Sequence, residues 1–113
     1  MTKVVVAEDS YLVREALASL LETLADVELV AACEDYDQLI DTVEKLRPNV
    51  VITDIRMPPT QTDEGIRAAI YIRGHYPDTG VVVLSQYADP EYALRLFRDG
   101  STGLAYLLKD HVG

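Results

Sequence analysis

Apolar residues along the chain fall into two alternating rhythms. Continuous runs rich in β-branched residues occur at positions 4–7 (Val4, Val5, Val6, Ala7) and 50–53 (Val50, Val51, Ile52, Thr53). Runs without polar alternation predict strands buried on both faces. Positions 81–84 and 104–108 give two more such strands, and 28–32 a weaker one. Between them the period lengthens to that of a helix. Ser10 is placed to cap a helix reaching about Leu24, with Leu12, Val13, Ala16, Leu17, Leu20, Leu21 and Leu24 on one stripe. A second helix is predicted over 35–46, with Leu39, Ile40, Val43 and Leu46 inward and Pro48 ending it. A loop rich in Pro and Thr at 57–63 leads into a third helix over about 63–75, and Pro77, Asp78, Thr79 and Gly80 make a turn. Pro90 suits the first position of a short fourth helix that Gly100 closes.

Strands alternating with helices across short loops imply right-handed crossovers, hence a parallel sheet with helices on both faces. The first and third strands are the most apolar and so the most central. This predicts an α/β, flavodoxin-like, doubly wound five-stranded parallel sheet of order 2-1-3-4-5, in which ligands bind at the carboxyl ends of the strands where the order reverses. After the fifth strand only Lys109, Asp110, His111, Val112 and Gly113 remain, too few for the helix that would cover the sheet on the side of the first helix. Without that final, fifth helix, roughly four apolar side chains worth about 1.5–3 kcal/mol each would be bare. The sum, about 6–12 kcal/mol, rivals the stability of a small domain. The expectation is a domain over residues 1–113 that is incomplete at its carboxyl end, or one whose bare face is covered by a second copy in a homodimer.

Composition narrows the function. The length of 113 residues suits one domain, and 10 Lys plus Arg against 19 Asp plus Glu give a net charge of −9. That balance excludes this segment as a nucleic-acid grip or a polybasic membrane binder. With 49% apolar and 26% charged residues the chain is globular rather than disordered. No apolar run is long enough to span a bilayer, and the first residues lack the pattern of a signal peptide. The single cysteine, Cys33, forbids an internal disulfide and reads as a filler of a core gap. A cytoplasmic domain with no membrane contact is expected. His75 and His111 have no metal-ligand spacing, and Tyr87, Tyr92 and Phe97 read as packing or surface residues.

The predicted strand ends carry the candidate chemistry. Strand 1 ends in Glu8 and Asp9, strand 3 in Asp54, strand 4 in Ser85 and strand 5 in Lys109. Taken singly, an acid here is a solvated loop residue or helix cap, Ser85 a cap, and Lys109 a surface charge. Taken together they place three carboxylates, a hydroxyl and a lysine on one edge. Two carboxylates ~5 Å apart at an effective dielectric of ~20 repel by roughly 3 kcal/mol, and one lysine cannot balance three. A hard divalent cation relieves the repulsion, and Mg²⁺ suits a small site completed by waters and a phosphate oxygen. Asp54 then reads as a carboxylate nucleophile for a phosphoryl group, with Mg²⁺ and Lys109 balancing the transferred oxygens.

These residues, with Met57 and Pro58 after Asp54 and Tyr106 before Lys109, resemble the receiver domain of two-component response regulators over essentially the whole chain. Arg14-Glu15-Ala16-Leu17, Leu84-Ser85-Gln86-Tyr87 and the ending from Gly103 to Asp110 resemble the LuxR/NarL-type DNA-binding subfamily, particularly its actinobacterial members. The resemblance implies that Asp54 accepts phosphate from a sensor histidine kinase. It implies that Glu8, Asp9, Asp54 and the Arg56 backbone carbonyl arrange Mg²⁺, and that Ser85 and Lys109 contact the phosphoryl oxygens. Tyr106 becomes the aromatic switch that follows Ser85. The chain would be a regulatory phospho-acceptor, acting only on its own phosphoryl group, and DNA would be read through a helix-turn-helix domain beyond residue 113. Three departures stand out. The segment from Asp54 to Gly65 is about three residues longer than in common receivers, Gln86 replaces a small residue, and Asp110 replaces a proline. Because a non-proline cis bond costs about 2.5–4 kcal/mol, a trans Lys109–Asp110 bond is expected.

Two other classes compete. A phosphatase of the haloacid dehalogenase kind also uses a nucleophilic aspartate with Mg²⁺, but it needs a second aspartate two residues on, where this chain has Arg56. A stand-alone, phosphate-independent interaction module would show loss of an acidic or lysine position, and none is lost.

Overall fold

The computed structural model describes residues 1–60, 62–85 and 104–108, with Ser85 and the last five described through their backbone. Its elements run β1 (Thr2–Ala7), α1 (Tyr11–Glu22), β2 (Val27–Cys33), α2 (Tyr36–Leu46), β3 (Val50–Asp54), α3 (Glu64–His75), β4 (Gly80–Ser85) and β5 (Leu104–Leu108). The strands form one five-stranded sheet in the order β2-β1-β3-β4-β5, and every pairing is parallel. This is the flavodoxin-like arrangement expected from the sequence. The fourth helix predicted over 90–100, and positions Gln86, Lys109 and Asp110, lie outside the described residues.

Local chemistry sets the helix ends. Ser10, in extended backbone, turns its hydroxyl toward the Val13 N–H at 3.5 Å. The Asp35 carboxylate accepts the Gln38 N–H at 2.8 Å, while the Gln38 side chain accepts the Glu34 N–H at 3.0 Å, so two donors at the start of α2 are satisfied reciprocally. α2 stops because Arg47 turns into the left-handed region, with φ 46°, just before Pro48. There the Arg47 guanidinium lies over the Tyr76 ring at 4.4 Å, tying that turn to the end of α3.

The sheet separates two apolar layers by alternation along β1, β3 and β4, which a register shift interrupts in β2. Val5, Ala7, Val51, Val81 and Val83 point into one cluster with Leu39 and Val43 of α2 and Ile66, Ala69 and Ile72 of α3. Val4, Val6 and Leu84 point the other way, toward Leu17 and Leu21 of α1. Cys33 fills a gap in the first layer beside Thr42, with Sγ 3.4 Å from the Thr42 hydroxyl, and burial pushes its thiol pKa up. On the α1 side, Val50, Ile52 and Val82 are only half-buried.

The predicted apolar stripe of α1 is too broad. Leu17 and Leu21 are buried and Val13 is half-buried, but Leu12, Leu20 and Leu24 are 79%, 53% and 47% exposed, and Ala16 is also exposed. The reason is geometric. Positions 12, 16 and 20 lie about 100° around the helix from 13, 17 and 21, and a helix lying on a flat sheet buries one line and its margins, not both. Leu46 lies on the same line as Leu39 and Val43, but as the last residue of α2 it is 44% exposed while they are fully enclosed. Leu39→Ala should therefore cost about 2–5 kcal/mol in urea denaturation, whereas Leu12→Ala should stay within about 0.5 kcal/mol. Equal losses would contradict this assignment of the buried line.

Candidate functional site

β1 and β3 are adjacent at the centre of the sheet, and Ala7 pairs with Thr53. Glu8 and Asp54 therefore leave their strands at the same level, with Asp9 one residue further on. Carboxylate oxygens of Glu8, Asp9 and Asp54 all lie within 4.8 Å of one another. Glu8 is buried, Asp54 half-buried and Asp9 exposed. The cluster thus has an enclosed floor and an open side. Local hydrogen bonds orient it. The Ile55 N–H donates to Asp54 Oδ1 at 2.8 Å, and the Ser10 N–H donates to Glu8 Oε1 at 3.1 Å. The backbone of Glu8 is held from both sides, its N–H by the Cys33 carbonyl at 2.9 Å and its own carbonyl by the Arg14 guanidinium at 2.9 Å. Arg14 reaches Glu34 as well, at 3.4 Å.

The segment after β3 is built around two consecutive residues of α3. The Gly65 N–H donates to the Ile55 carbonyl at 2.7 Å, and a Cβ on Gly65 would fall 1.7 Å from the Asp54 carbonyl oxygen. The obstacle is backbone, so any side chain there would displace the strand end that carries Asp54. Glu64, with no solvent exposure, turns its carboxylate back into the loop. Its Oε2 accepts from the Thr60 N–H at 2.6 Å and the Thr60 hydroxyl at 2.5 Å, and its Oε1 accepts from the Thr62 N–H at 3.1 Å. Arg67 pairs with it at 3.2 Å from the next turn of the helix. Burial raises the Glu64 pKa, but hydrogen bonds from the Thr60 side chain and backbone, its own N–H and the Thr62 N–H outweigh that and hold it at about 2.

Other predicted positions are placed by register. Asp54 pairs with Leu84, so Ser85 stands one residue beyond Asp54 on the neighbouring strand, and Ser85 pairs in turn with Leu108. Tyr106 is level with Val83 on the edge strand. Arg56 lies in the loop two residues after Asp54, and Lys109 is outside the described residues. Sequence reasoning gave no structural role to Arg14 or Glu64, and it used Gly65 only to measure the loop. A threonine four residues before Glu64 and another two before it were the available signal.

The response regulator receiver domain family matches residues 4–111. The chain belongs to that family. Among curated relatives, the oxygen regulatory protein NreC of Staphylococcus haemolyticus is 33% identical over 108 residues, covering 96% of this chain and 48% of NreC. The chain thus spans about half the length of the curated relatives it matches. Among solved structures, the receiver domain of NarL from Mycobacterium tuberculosis superposes with a TM-score of 0.83 at 27% identity, covering 96% of this chain and 84% of that one. RcsB from Salmonella enterica serovar Typhimurium, solved on the rprA promoter with the phosphomimetic BeF3⁻, gives 0.81 at 30% identity over 96% and 87% of the two chains. The receiver fold and its LuxR-type relatives agree with the family resemblance read from the sequence.

Receiver domains bind Mg²⁺ in an acidic pocket, and the donor set here fits one: three carboxylates, no thiolate and no imidazole. Oxygens on one Mg²⁺ lie at most about 4.2 Å apart, twice a bond of about 2.1 Å. A spread of up to 4.8 Å therefore needs only a small side-chain rotation or one bridging water. No described helix is long and apolar enough to cross a membrane.

The buried Glu64 carboxylate makes a pH prediction. Its pKa is lowered from 4.5 to about 2 on folding, so its contribution is fully present above pH 4.5 and is lost as pH falls toward 2. The shift corresponds to at most about 3 kcal/mol. Urea denaturation at about pH 6 and about pH 3 should show a smaller acid-induced loss in Glu64→Gln than in wild type. An identical loss in both would rule out Glu64 as a source of acid sensitivity.

Proposed function

We propose that this domain is a phosphorylation-controlled signalling switch in which Asp54 accepts a phosphoryl group from a sensor histidine kinase. The observation that carries the reading is the convergence of Glu8, Asp9 and Asp54 oxygens within 4.8 Å, where the sheet order reverses between β1 and β3. An Asp54 carboxylate oxygen attacks phosphorus as the phosphorus–nitrogen bond of a phosphohistidine breaks, and the departing ring nitrogen takes a proton from solvent. The Ile55 N–H on Oδ1 sets the plane of the carboxylate before the reaction, so little reorganisation is needed. Glu8, Asp9, Asp54 and the Arg56 carbonyl are the residues to hold Mg²⁺, which when bound draws charge from the transferred oxygens. Ser85 and Lys109 contact those oxygens in this reading, and Tyr106 follows Ser85.

The relatives' length supports a further step: the chain is the receiver part of a DNA-binding transcriptional regulator whose helix-turn-helix domain follows residue 113. The half-buried Val50, Ile52 and Val82 then mark the sheet face that a helix after β5 covers. A homodimer of the whole regulator completes the proposal.

Incubation with acetyl phosphate and Mg²⁺, followed by intact mass, should give one phosphoryl adduct in wild type and none in Asp54→Asn or with chelator. An adduct that persists in Asp54→Asn would move the acceptor elsewhere. Titration of Mg²⁺ alone should perturb amide signals at Glu8, Asp9 and Asp54, and Asp9→Asn should weaken that binding by about tenfold or more. No response up to tens of millimolar, an order-of-magnitude ceiling of about 10–100 mM, would count against the site.

A further inference from the structure

We propose that Glu64 is a positioning residue for the cation and phosphoryl site, acting through the loop that carries the Arg56 carbonyl. The proposal rests on the phosphoryl-acceptor reading above. Arg56 belongs to a short stretch pinned at both ends by neighbouring residues of one helix. At its start, the Ile55 carbonyl is held by the Gly65 N–H at 2.7 Å. At its end, Thr60 is held through both N–H and hydroxyl by Glu64, and Thr62 through its N–H. Between the pins, the Pro58 carbonyl accepts the Tyr36 N–H at 3.3 Å from the start of α2. The loop is neither strand nor helix, so these bonds, with the Met57 side chain buried in the core, help to set where its carbonyls point.

The chemistry of the clasp calls for a carboxylate. Three loop donors and the Arg67 guanidinium converge on two oxygens, each of which only accepts. An amide in the same place would set its own NH2 against at least one of those donors. A backbone carbonyl that ligates Mg²⁺ must meet a strict octahedral geometry, so looseness in the loop is felt directly as weaker ion binding. Glu64 is not one of the clustered carboxylates Glu8, Asp9 and Asp54, and in this reading it would fix a ligand rather than supply one.

Two measurements on the folded protein separate this role from simple stability. Glu64→Gln, confirmed folded by circular dichroism and read well below its melting temperature, should speed amide exchange at Thr60 and Thr62 and weaken Mg²⁺ binding by about tenfold, the usual effect of removing a group that orients a ligand. A merely structural Glu64 would lower the melting temperature and leave the Mg²⁺ dissociation constant of the folded protein unchanged. Thr60→Val and Thr60→Ser provide a milder pair that leaves the start of α3 intact. The valine variant should weaken Mg²⁺ binding about threefold, a fraction of the full loss, and the serine variant should restore it. Unchanged Mg²⁺ affinity in both Glu64→Gln and Thr60→Val, with wild type binding the ion normally, would overturn the positioning role and leave the phosphoryl-acceptor reading standing. A wild-type protein that takes up neither Mg²⁺ nor phosphoryl would overturn both.

Discussion

A parallel sheet with an apolar layer on each face has no room for polar chemistry in its interior, and this constraint governs the rest of the molecule. Its strands alternate between two apolar layers, so a charged side chain within them would face one layer or the other without water. At the central strands, carboxylates are placed where the strands end. β1 and β3 end side by side, and the connections that leave them run to opposite faces. The cleft between those connections is where Glu8, Asp9 and Asp54 meet. The burial of Glu8 follows from this placement. It belongs to the last turn of backbone before the chain leaves the sheet, and the Cys33 carbonyl and the Arg14 guanidinium hold it there.

Concentrating negative charge in such a place works against folding unless the surrounding backbone is rigid. The structure supplies that rigidity with donors as well as with the buried Ile55 and Met57 side chains. Ile55 and Ser10 present N–H groups to Asp54 and Glu8. Gly65 lets α3 approach the Asp54 carbonyl more closely than any residue with a Cβ would allow. The site is thus assembled from consecutive pairs in the sequence: Glu8 with Asp9, Asp54 with Ile55, Glu64 with Gly65. Glu8 and Asp9 both face the cleft, while in the other two pairs one member faces the cleft or its loop and the other holds the backbone.

Much of this was legible in the chain. Strands buried on both faces appear as continuous apolar runs, so their ends are sharp, and the polar residue just past each end is easy to identify. Glu8, Asp9 and Asp54 were found in that way, and the strand order followed from the runs at 4–7 and 50–53. The helix stripe was read too broadly because neighbouring apolar positions on α1, such as Leu20 and Leu21, look equivalent in a sequence and differ by about 100° on a helix. Glu64 was missed for another reason. An acid at the start of a helix ordinarily faces water and complements the dipole, and nothing periodic in residues 56–63 announces that the loop folds over it. Its burial is a property of the loop's path, which no local propensity encodes.

That path bears on how such a loop can tolerate a change of length. In a sheet or helix, an inserted residue shifts the register of everything beyond it. Here the loop runs between fixed points, the Ile55 carbonyl on one side and the Glu64 carboxylate on the other, while the Pro58 carbonyl rests on α2. The end of β3 that carries Asp54 is held to the start of α3 directly, by the Gly65 N–H on the Ile55 carbonyl. The two threonines and the glutamate therefore act together as one fastening for the loop. Transplanting the loop without Glu64, or Glu64 without the loop, would carry over only half of a working part.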